Sequence, residues 1–214
     1  MNTLPAPDLR SNLGTWAVPA CLAPAVARVM LAGYAPEPFD PGFQGQELET
    51  YYFDTEDFAL RKARRRKGPY LTLRVRRYKP SNVYAFSAKT PTQKFRVPLP
   101  EGKARDLLES GAPAGALRAL LPADLLARLH DLAGEEPLTI TACVEARRYA
   151  VEDGRDRLTL DLGVRTDTGL CLPAGVLEFK SIRPDAPPPG ELADLELRPI
   201  KLSKFLWATG FGGK

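Results

Sequence analysis

Arginines, lysines and a few carboxylates recur at every second position along several segments of this chain, the spacing that puts side chains on one face of a β-strand. Arg74 and Arg76 share a face by this rule, as do Glu145 and Arg147, Arg157 and Asp161, Glu178 and Lys180, and Lys94 and Arg96, with Lys89 alone beyond Ser87. The alternate positions are apolar in most of these segments, as with Leu73 and Val75, Leu158 and Leu160, Leu177 and Phe179. Eight cations stand against three carboxylates on the charged face. A merely solvated face mixes Thr, Ser, Gln, Lys and Glu, and like charges on neighbouring strands repel. Such a face costs stability unless an anion offsets it, and phosphate oxygens do so through charge-assisted, bidentate arginine contacts. Glu178, with Asp161 and Glu145 as helpers, offers oxygen ligands to a hard divalent cation, Mg²⁺ or Mn²⁺. Cations for phosphate plus a carboxylate-held metal is the chemistry of phosphoryl transfer.

The elements that must position these groups can be followed along the chain. Residues 1–10, with Pro5 and Pro7, read as a loose tail, and 11–214 as a single domain. Leu13 to Val18 suits a strand, and Pro19 opens a helix carrying Val26, Met30 and Leu31. Ala35 to Gly42 is irregular, with three prolines before Gly42, until Glu49-Thr-Tyr-Tyr-Phe resumes a strand and Asp54-Thr-Glu-Asp turns or caps. Strands follow over Tyr70–Arg76, Val83–Thr90 and Lys94–Leu99. Leucine-rich residues 102–133, divided by Gly111, Pro113 and Pro122, predict three short helices. Strands return at Leu138–Val151, Arg157–Gly163 and Gly175–Ser181. This order is α+β, with an antiparallel sheet oily on one face and ionic on the other. If the sheet stays open, the ionic face meets water; if it closes into a barrel, that face becomes a wet lumen, because unpaired charge in a dry interior costs several kcal/mol per group.

Composition removes other classes. The 214 residues are 44% hydrophobic and 26% charged, near the globular average, and no run of about 20 apolar residues offers a transmembrane helix. The net charge of +4 is mild, so its distribution matters more than its sum. Cys21, Cys143 and Cys171 form no CxxC pair, which speaks against a disulfide framework and for a cytoplasmic protein. A single histidine, His130, in a leucine-rich helical stretch, reads as a surface residue and leaves no His-rich metal site.

The ordered series of motifs resembles the VTC domain of polyphosphate polymerases, a branch of the triphosphate tunnel metalloenzymes related to CYTH domains. Tyr51-Tyr-Phe-Asp-Thr-Glu-Asp-Phe is similar to the YFDT segment of that family, and Leu73-Arg-Val-Arg-Arg-Tyr78 to its paired-arginine strand. Ala88-Lys89, Lys94-Phe-Arg96, Arg147-Arg-Tyr149, Arg157-Leu-Thr-Leu-Asp161, Leu177-Glu-Phe-Lys180 and Lys201-Leu-Ser-Lys204 complete the series over roughly residues 10–210. The resemblance implies an eight-stranded antiparallel β-barrel, the triphosphate tunnel fold, with flanking helices. It implies phosphate-binding roles for Arg74, Arg76, Lys89, Arg147, Arg157, Lys180, Lys201 and Lys204, with Lys94 and Arg96 beside them, and a metal role for Glu178. Glu178, Arg74, Arg76 and Lys180 would then carry Mn²⁺- or Mg²⁺-dependent phosphoryl transfer on triphosphate, polyphosphate or a nucleoside triphosphate such as ATP.

Two segments depart from the family. Leu13-Gly-Thr-Trp16 stands where its members carry Glu-x-Lys, and Ser87 stands where they carry Glu two residues before the strand lysine. Subtracting carboxylates while keeping cations lowers metal affinity and spares anion affinity, so a polyanion-binding module without turnover is the alternative to an enzyme. A third reading, nucleic-acid binding through Arg61-Lys-Ala-Arg-Arg-Arg-Lys67 beside Tyr70, competes with a solvated basic loop or a run at the tunnel mouth that attracts polyanions, and no specific nucleic acid is expected.

Overall fold

The computed structural model describes residues 10–66, 68–79, 81–109 and 114–210. Residues 1–9 of the expected tail, Lys67 of the basic run, and Gly111 and Pro113 lie outside them. The chain runs through β1 (Ser11–Val18), α1 (Ala23–Gly33), β2 (Ala35–Pro36), β3 (Gln46–Asp54), α2 (Ala59–Arg65), β4 (Thr72–Lys79), β5 (Val83–Lys89), β6 (Lys94–Leu99), α3 (Glu101–Glu109), α4 (Ala114–Arg118), α5 (Ala123–Ala133), β7 (Thr139–Glu152), β8 (Asp156–Thr166), β9 (Gly175–Ser181), α6 (Gly190–Ala193), β10 (Arg198–Pro199) and α7 (Lys204–Ala208).

All ten strands join one antiparallel sheet in the order β10-β1-β9-β8-β7-β3-β4-β5-β6, with β2 beside β7. Eight of them have six or more residues, and β2 and β10 have two each. Among the described residues no ladder joins β6 back to β1 or β10, so the eight-stranded closed barrel of the sequence reading gives way to an open ten-stranded sheet. Both free edges carry a proline, Pro98 on β6 and Pro199 on β10, which has no N–H to extend a ladder. The sheet still curls, because side chains of β1 and of β6 line the same cavity.

The outer face holds two apolar clusters. In one, Phe53, Leu73, Val75, Phe86 and Ala88 pack against Leu107, Leu117, Leu125 and Leu129 of the helical insert. In the other, Leu158, Leu160, Leu177 and Phe179 pack against Val26 and Met30 of α1. A third cluster sits on the inner face, where Phe205 and Ala208 of α7 pack on Tyr52, Ala142, Val144, Val164 and Val176. Ala142 and Val144 make room there for the helix, and the Phe205 ring stacks on Tyr52 at 5.2 Å between centroids. The inner face is therefore ionic over one part and apolar where α7 covers it. Asp54 caps α2, accepting backbone N–H bonds from Thr55, Leu60 and Arg61 at 2.8–2.9 Å. Among the described residues no helix is long and apolar enough to cross a membrane.

A candidate anion-binding cavity

The concave side of the sheet encloses a cavity of about 680 Å³, lined by eleven Lys and Arg residues and by two carboxylates, Glu37 and Glu178. Alternation places the cations: on β4, Leu73 and Val75 are fully buried outward, so Arg74 and Arg76 turn inward. The antiparallel register sets Arg74 opposite Ser87, and Ser87 opposite Arg96. Arg74, Arg76, Lys89, Lys94, Arg96, Arg157, Lys180, Lys204 and Glu178 all line the cavity.

One wall is built from β4, β5 and β6. Arg76 donates to Thr50 Oγ1 at 3.1 Å, and Arg96 donates to the Tyr78 hydroxyl. Among the described residues Arg74, Arg76, Lys89 and Arg96 form no ion pair with a carboxylate. Burial, together with the guanidinium groups of Arg74 and Arg148, lowers the pKa of Arg76. Lys89 is reached by water through the cavity yet enclosed by protein, and this enclosure, with Arg64, Arg74 and Lys180 nearby, lowers its ammonium to about 8. Burial opposes ionisation of Tyr78, but Arg76, Arg96 and Arg148 outweigh it and pull the phenol below its usual value. Two buried atoms on the same lining, Arg64 Nη1 and Thr72 Oγ1, have no hydrogen-bond partner. Unsatisfied buried donors of this kind cost about 1–3 kcal/mol each, which an acceptor-rich ligand would recover.

On the other wall, from β7, β8, β9 and α7, the cations are paired with carboxylates. Arg148 holds Asp161 bidentately, Nε to Oδ1 at 2.6 Å and Nη2 to Oδ2 at 2.7 Å. Lys204 Nζ lies 2.6 Å from Asp161 Oδ2 and 3.5 Å from Glu178 Oε1, and Lys180 Nζ lies 3.5 Å from Glu178 Oε2. Burial alone would raise both carboxyls; Arg148 and Lys204 hold Asp161 far below the carboxylate range, and Lys204, Lys180 and Arg148 do the same for Glu178. Burial would lower Lys204, and Asp161 and Glu178 reverse that. At the rim Arg157 Nε donates to Glu37, and Arg10 pairs with Glu152 at 2.9 Å.

Three residues of the sequence reading lie elsewhere. Arg147 is exposed on the outer face and donates to Glu47 at 2.7 Å, Glu145 pairs with exposed Arg165 at 2.8 Å, and Lys201 is exposed outside the lining. The inward arginine of β7 is Arg148. Two arginines are adjacent there, and neither alternate set is uniformly apolar; Ala142, Val144 and Ala146 are the small residues of the inward set, and they are the signal that α7 packs on that face. Tyr149, of the same outward parity, packs on Phe43 at 5.2 Å between centroids. Sequence reasoning passed over Arg10 and named Arg64 only as part of the basic run. Residues 61–65 of the basic run form part of helix α2 rather than a solvated loop; Arg64 enters the cavity over the Tyr70 ring at 4.0 Å, at the tunnel mouth as one of the readings of the run has it, while Arg61 donates to the Thr209 carbonyl at 3.0 Å. His130 is an exposed residue beside Glu135.

A metal ion fits these residues poorly. Glu145 faces away, Asp161 is held by Arg148 and Lys204, and Glu178 has ammonium groups on both sides. Of the two departures from the family pattern, Ser87 of β5 lines the cavity and Leu13-Gly-Thr-Trp16 of β1 does not; β1 lines it instead with Ser11 and Asn12, so neither strand adds a carboxylate. Among the described residues no group of three His, Cys, Asp or Glu side chains is placed to hold a metal.

No protein-family model matches the chain, and no curated protein matches it in sequence. Solved structures do match in fold. A candidate adenylate cyclase from Bacillus halodurans superposes with a TM-score of 0.57 at 16% identity, covering 92% of this chain and 88% of that one. One from Vibrio parahaemolyticus gives 0.54 at 13% identity over 88% and 92%. A Hippeastrum protein, described as a candidate adenylyl cyclase with a dominant triphosphatase activity, gives 0.57 at 14% identity over 92% and 87%. With a curled antiparallel sheet gathering cations around one cavity, the chain shares its fold with these three proteins.

Proposed function

We propose that this chain binds a linear condensed phosphate in the cavity: triphosphate, a short polyphosphate, or the triphosphate of a nucleotide. The observation that carries this reading is the wall of Arg74, Arg76, Lys89 and Arg96, four cations facing one cavity with no carboxylate partner among the described residues. Planar guanidinium groups offer paired N–H donors at the spacing of two phosphate oxygens, and three of the four are arginines. Thr72 and Arg64 add buried donors that lack an acceptor. A condensed phosphate suits the length of the array better than a single phosphate does, because cations from β4, β5, β6, β8 and β9 line one continuous cavity.

Titrating the purified full chain with tripolyphosphate in EDTA, by calorimetry, tests the reading. Binding tighter than orthophosphate by at least about tenfold, about 1.4 kcal/mol, is expected; equal affinities for the two, or no binding, would overturn it. Duplex DNA at the same salt is the control for the nucleic-acid reading, since a preference for DNA would make the cavity irrelevant.

Turnover is the second reading, favoured by the triphosphatase activity ascribed to the Hippeastrum protein of the same fold. In it Arg74, Arg76 and Lys180 would stabilise charge on the transferred phosphoryl group. The polyphosphate polymerase chemistry suggested by the motif series is the finer form of this reading. Phosphate release from tripolyphosphate, and polymer formation from ATP, each with and without Mn²⁺, separate turnover from binding alone.

A further inference from the structure

The two acidic side chains of the inner face that the sequence would assign to a metal, Asp161 and Glu178, are brought together on adjacent strands. Asp161 is paired with Val176 in the ladder and Glu178 with Thr159, so the two carboxylates are diagonal neighbours. The group between them is the ammonium of Lys204, 2.6 Å from one and 3.5 Å from the other. Lys204 is fixed there by the rest of α7: Phe205 is buried on Tyr52, and Ser203 caps the helix. We propose that Lys204 is a built-in counter-cation, which holds the place of a divalent metal at Asp161 and Glu178 and makes phosphate binding in this cavity independent of free Mn²⁺ or Mg²⁺.

The proposal rests on the condensed-phosphate reading for its ligand but not for its geometry. Asp161, Glu178, Arg148 and Lys204 carry two negative and two positive charges, so the quartet is neutral before any ion arrives. A divalent ion on Glu178 would sit about 2.1 Å from a carboxylate oxygen. It would then press against two ammonium groups, those of Lys180 and Lys204, each 3.5 Å from that carboxylate. Moving Lys204 aside would strip a buried ammonium of both its acidic partners, which is strongly unfavourable. Asp161 is committed further, since Arg148 takes both of its oxygens.

Two measurements on the full chain decide it. In the first, Mn²⁺ is titrated without phosphate and free Mn²⁺ is read by electron paramagnetic resonance. The wild type is expected to show no binding up to about 1 mM. Lys204→Met, which leaves both carboxylates in place, should bind Mn²⁺ at least about tenfold more tightly, and adding Glu178→Gln should remove the gain. Wild-type binding below about 100 μM, or a folded Lys204→Met variant with no gain, would overturn the proposal. In the second, tripolyphosphate is titrated into the wild type in EDTA and in Mn²⁺. The affinity should be unchanged, or weaker in Mn²⁺ because the metal neutralises the ligand; a strengthening by Mn²⁺ of about tenfold or more would overturn it. Should Lys204→Met fail to fold, the two wild-type titrations still decide. Should tripolyphosphate bind under neither condition, the functional reading falls, while the Mn²⁺ titrations still answer for Lys204.

Discussion

The two walls of the cavity are made from similar residues and hold their charge in opposite ways. On β7, β8 and β9, capped by α7, every inward cation is matched locally: Arg148 and Lys204 share Asp161, and Lys204 and Lys180 share Glu178. On β4, β5 and β6, Arg74, Arg76, Lys89 and Arg96 face the same space without an acidic partner among the described residues. Pairing makes the first wall part of the folding energy. The second wall opposes folding by mutual repulsion, and it retains its donors for something else. A site that binds anions needs both, one wall to hold the sheet in its curl and one to remain unsatisfied until ligand enters.

The largest effect should come from breaking the paired wall. Asp161→Ala leaves Arg148 and Lys204 buried without their carboxylate, and its unfolding free energy should fall by about 3–5 kcal/mol in denaturant titration. The pH dependence follows in sign. The carboxyls of Asp161 and Glu178 lie below their unfolded values, so their contribution is present above about pH 4 and fades as pH falls through the carboxylate range. An Asp161→Ala protein as stable as the wild type would mean that the two walls do not differ as described.

The unpaired wall should answer in the opposite direction. Arg74→Met and Arg76→Met remove repulsion, so each variant should unfold no more easily than the wild type. Each also removes a charge-assisted phosphate contact of about 1.5–3 kcal/mol, a ten- to hundredfold loss in tripolyphosphate affinity. Loss of stability together with affinity would show that these arginines are structural.

The contrast between the walls was only partly legible in the sequence. Alternation gave the strands and the two faces wherever one set was plainly apolar, as on β4 with Leu73 and Val75 or on β9 with Leu177 and Phe179. It failed on β7, where a charge pair, Glu145 and Arg147, occupies the outer face and alanines occupy the inner one, so that Arg148 went unnoticed beside Arg147. Pairing was the harder quantity. Which carboxylate meets which cation depends on diagonal register between strands and on α7 returning over the sheet, and neither distance is written in local periodicity. Closure was likewise invisible, because it turns on hydrogen bonding at edges that Pro98 and Pro199 blunt.

A smaller effect, one of titration, sharpens the comparison. Lys89 titrates near 8 in the ligand-free protein, so its charge is mostly present at neutral pH and lost above it. Bound phosphate should raise that value, so binding takes up a proton near pH 8.5, and affinity declines as pH rises through 8. Folding has the opposite sign, because the cost of enclosing an ammonium is present below the folded value and relieved as pH rises toward the unfolded one. Calorimetry at pH 8.5 in two buffers of different ionisation enthalpy should detect the proton, and Lys89→Met should abolish it. Proton uptake that persists in the variant would assign the titration to another group.

The least effect is expected at Arg147, and that makes it the sharpest control on which face matters. Arg147 lies one position from Arg148 in sequence but on the opposite side of the sheet, exposed and paired with exposed Glu47 at 2.7 Å. A solvent-screened pair of this kind contributes little to folding. Arg147→Ala should leave both the unfolding midpoint and the tripolyphosphate affinity unchanged, whereas Arg148→Ala, which strips Asp161 of its bidentate partner, should destabilise the fold. If Arg147→Ala instead weakens binding tenfold while Arg148→Ala is silent, the register of β7 has been misjudged by one residue and its inner and outer faces exchange roles.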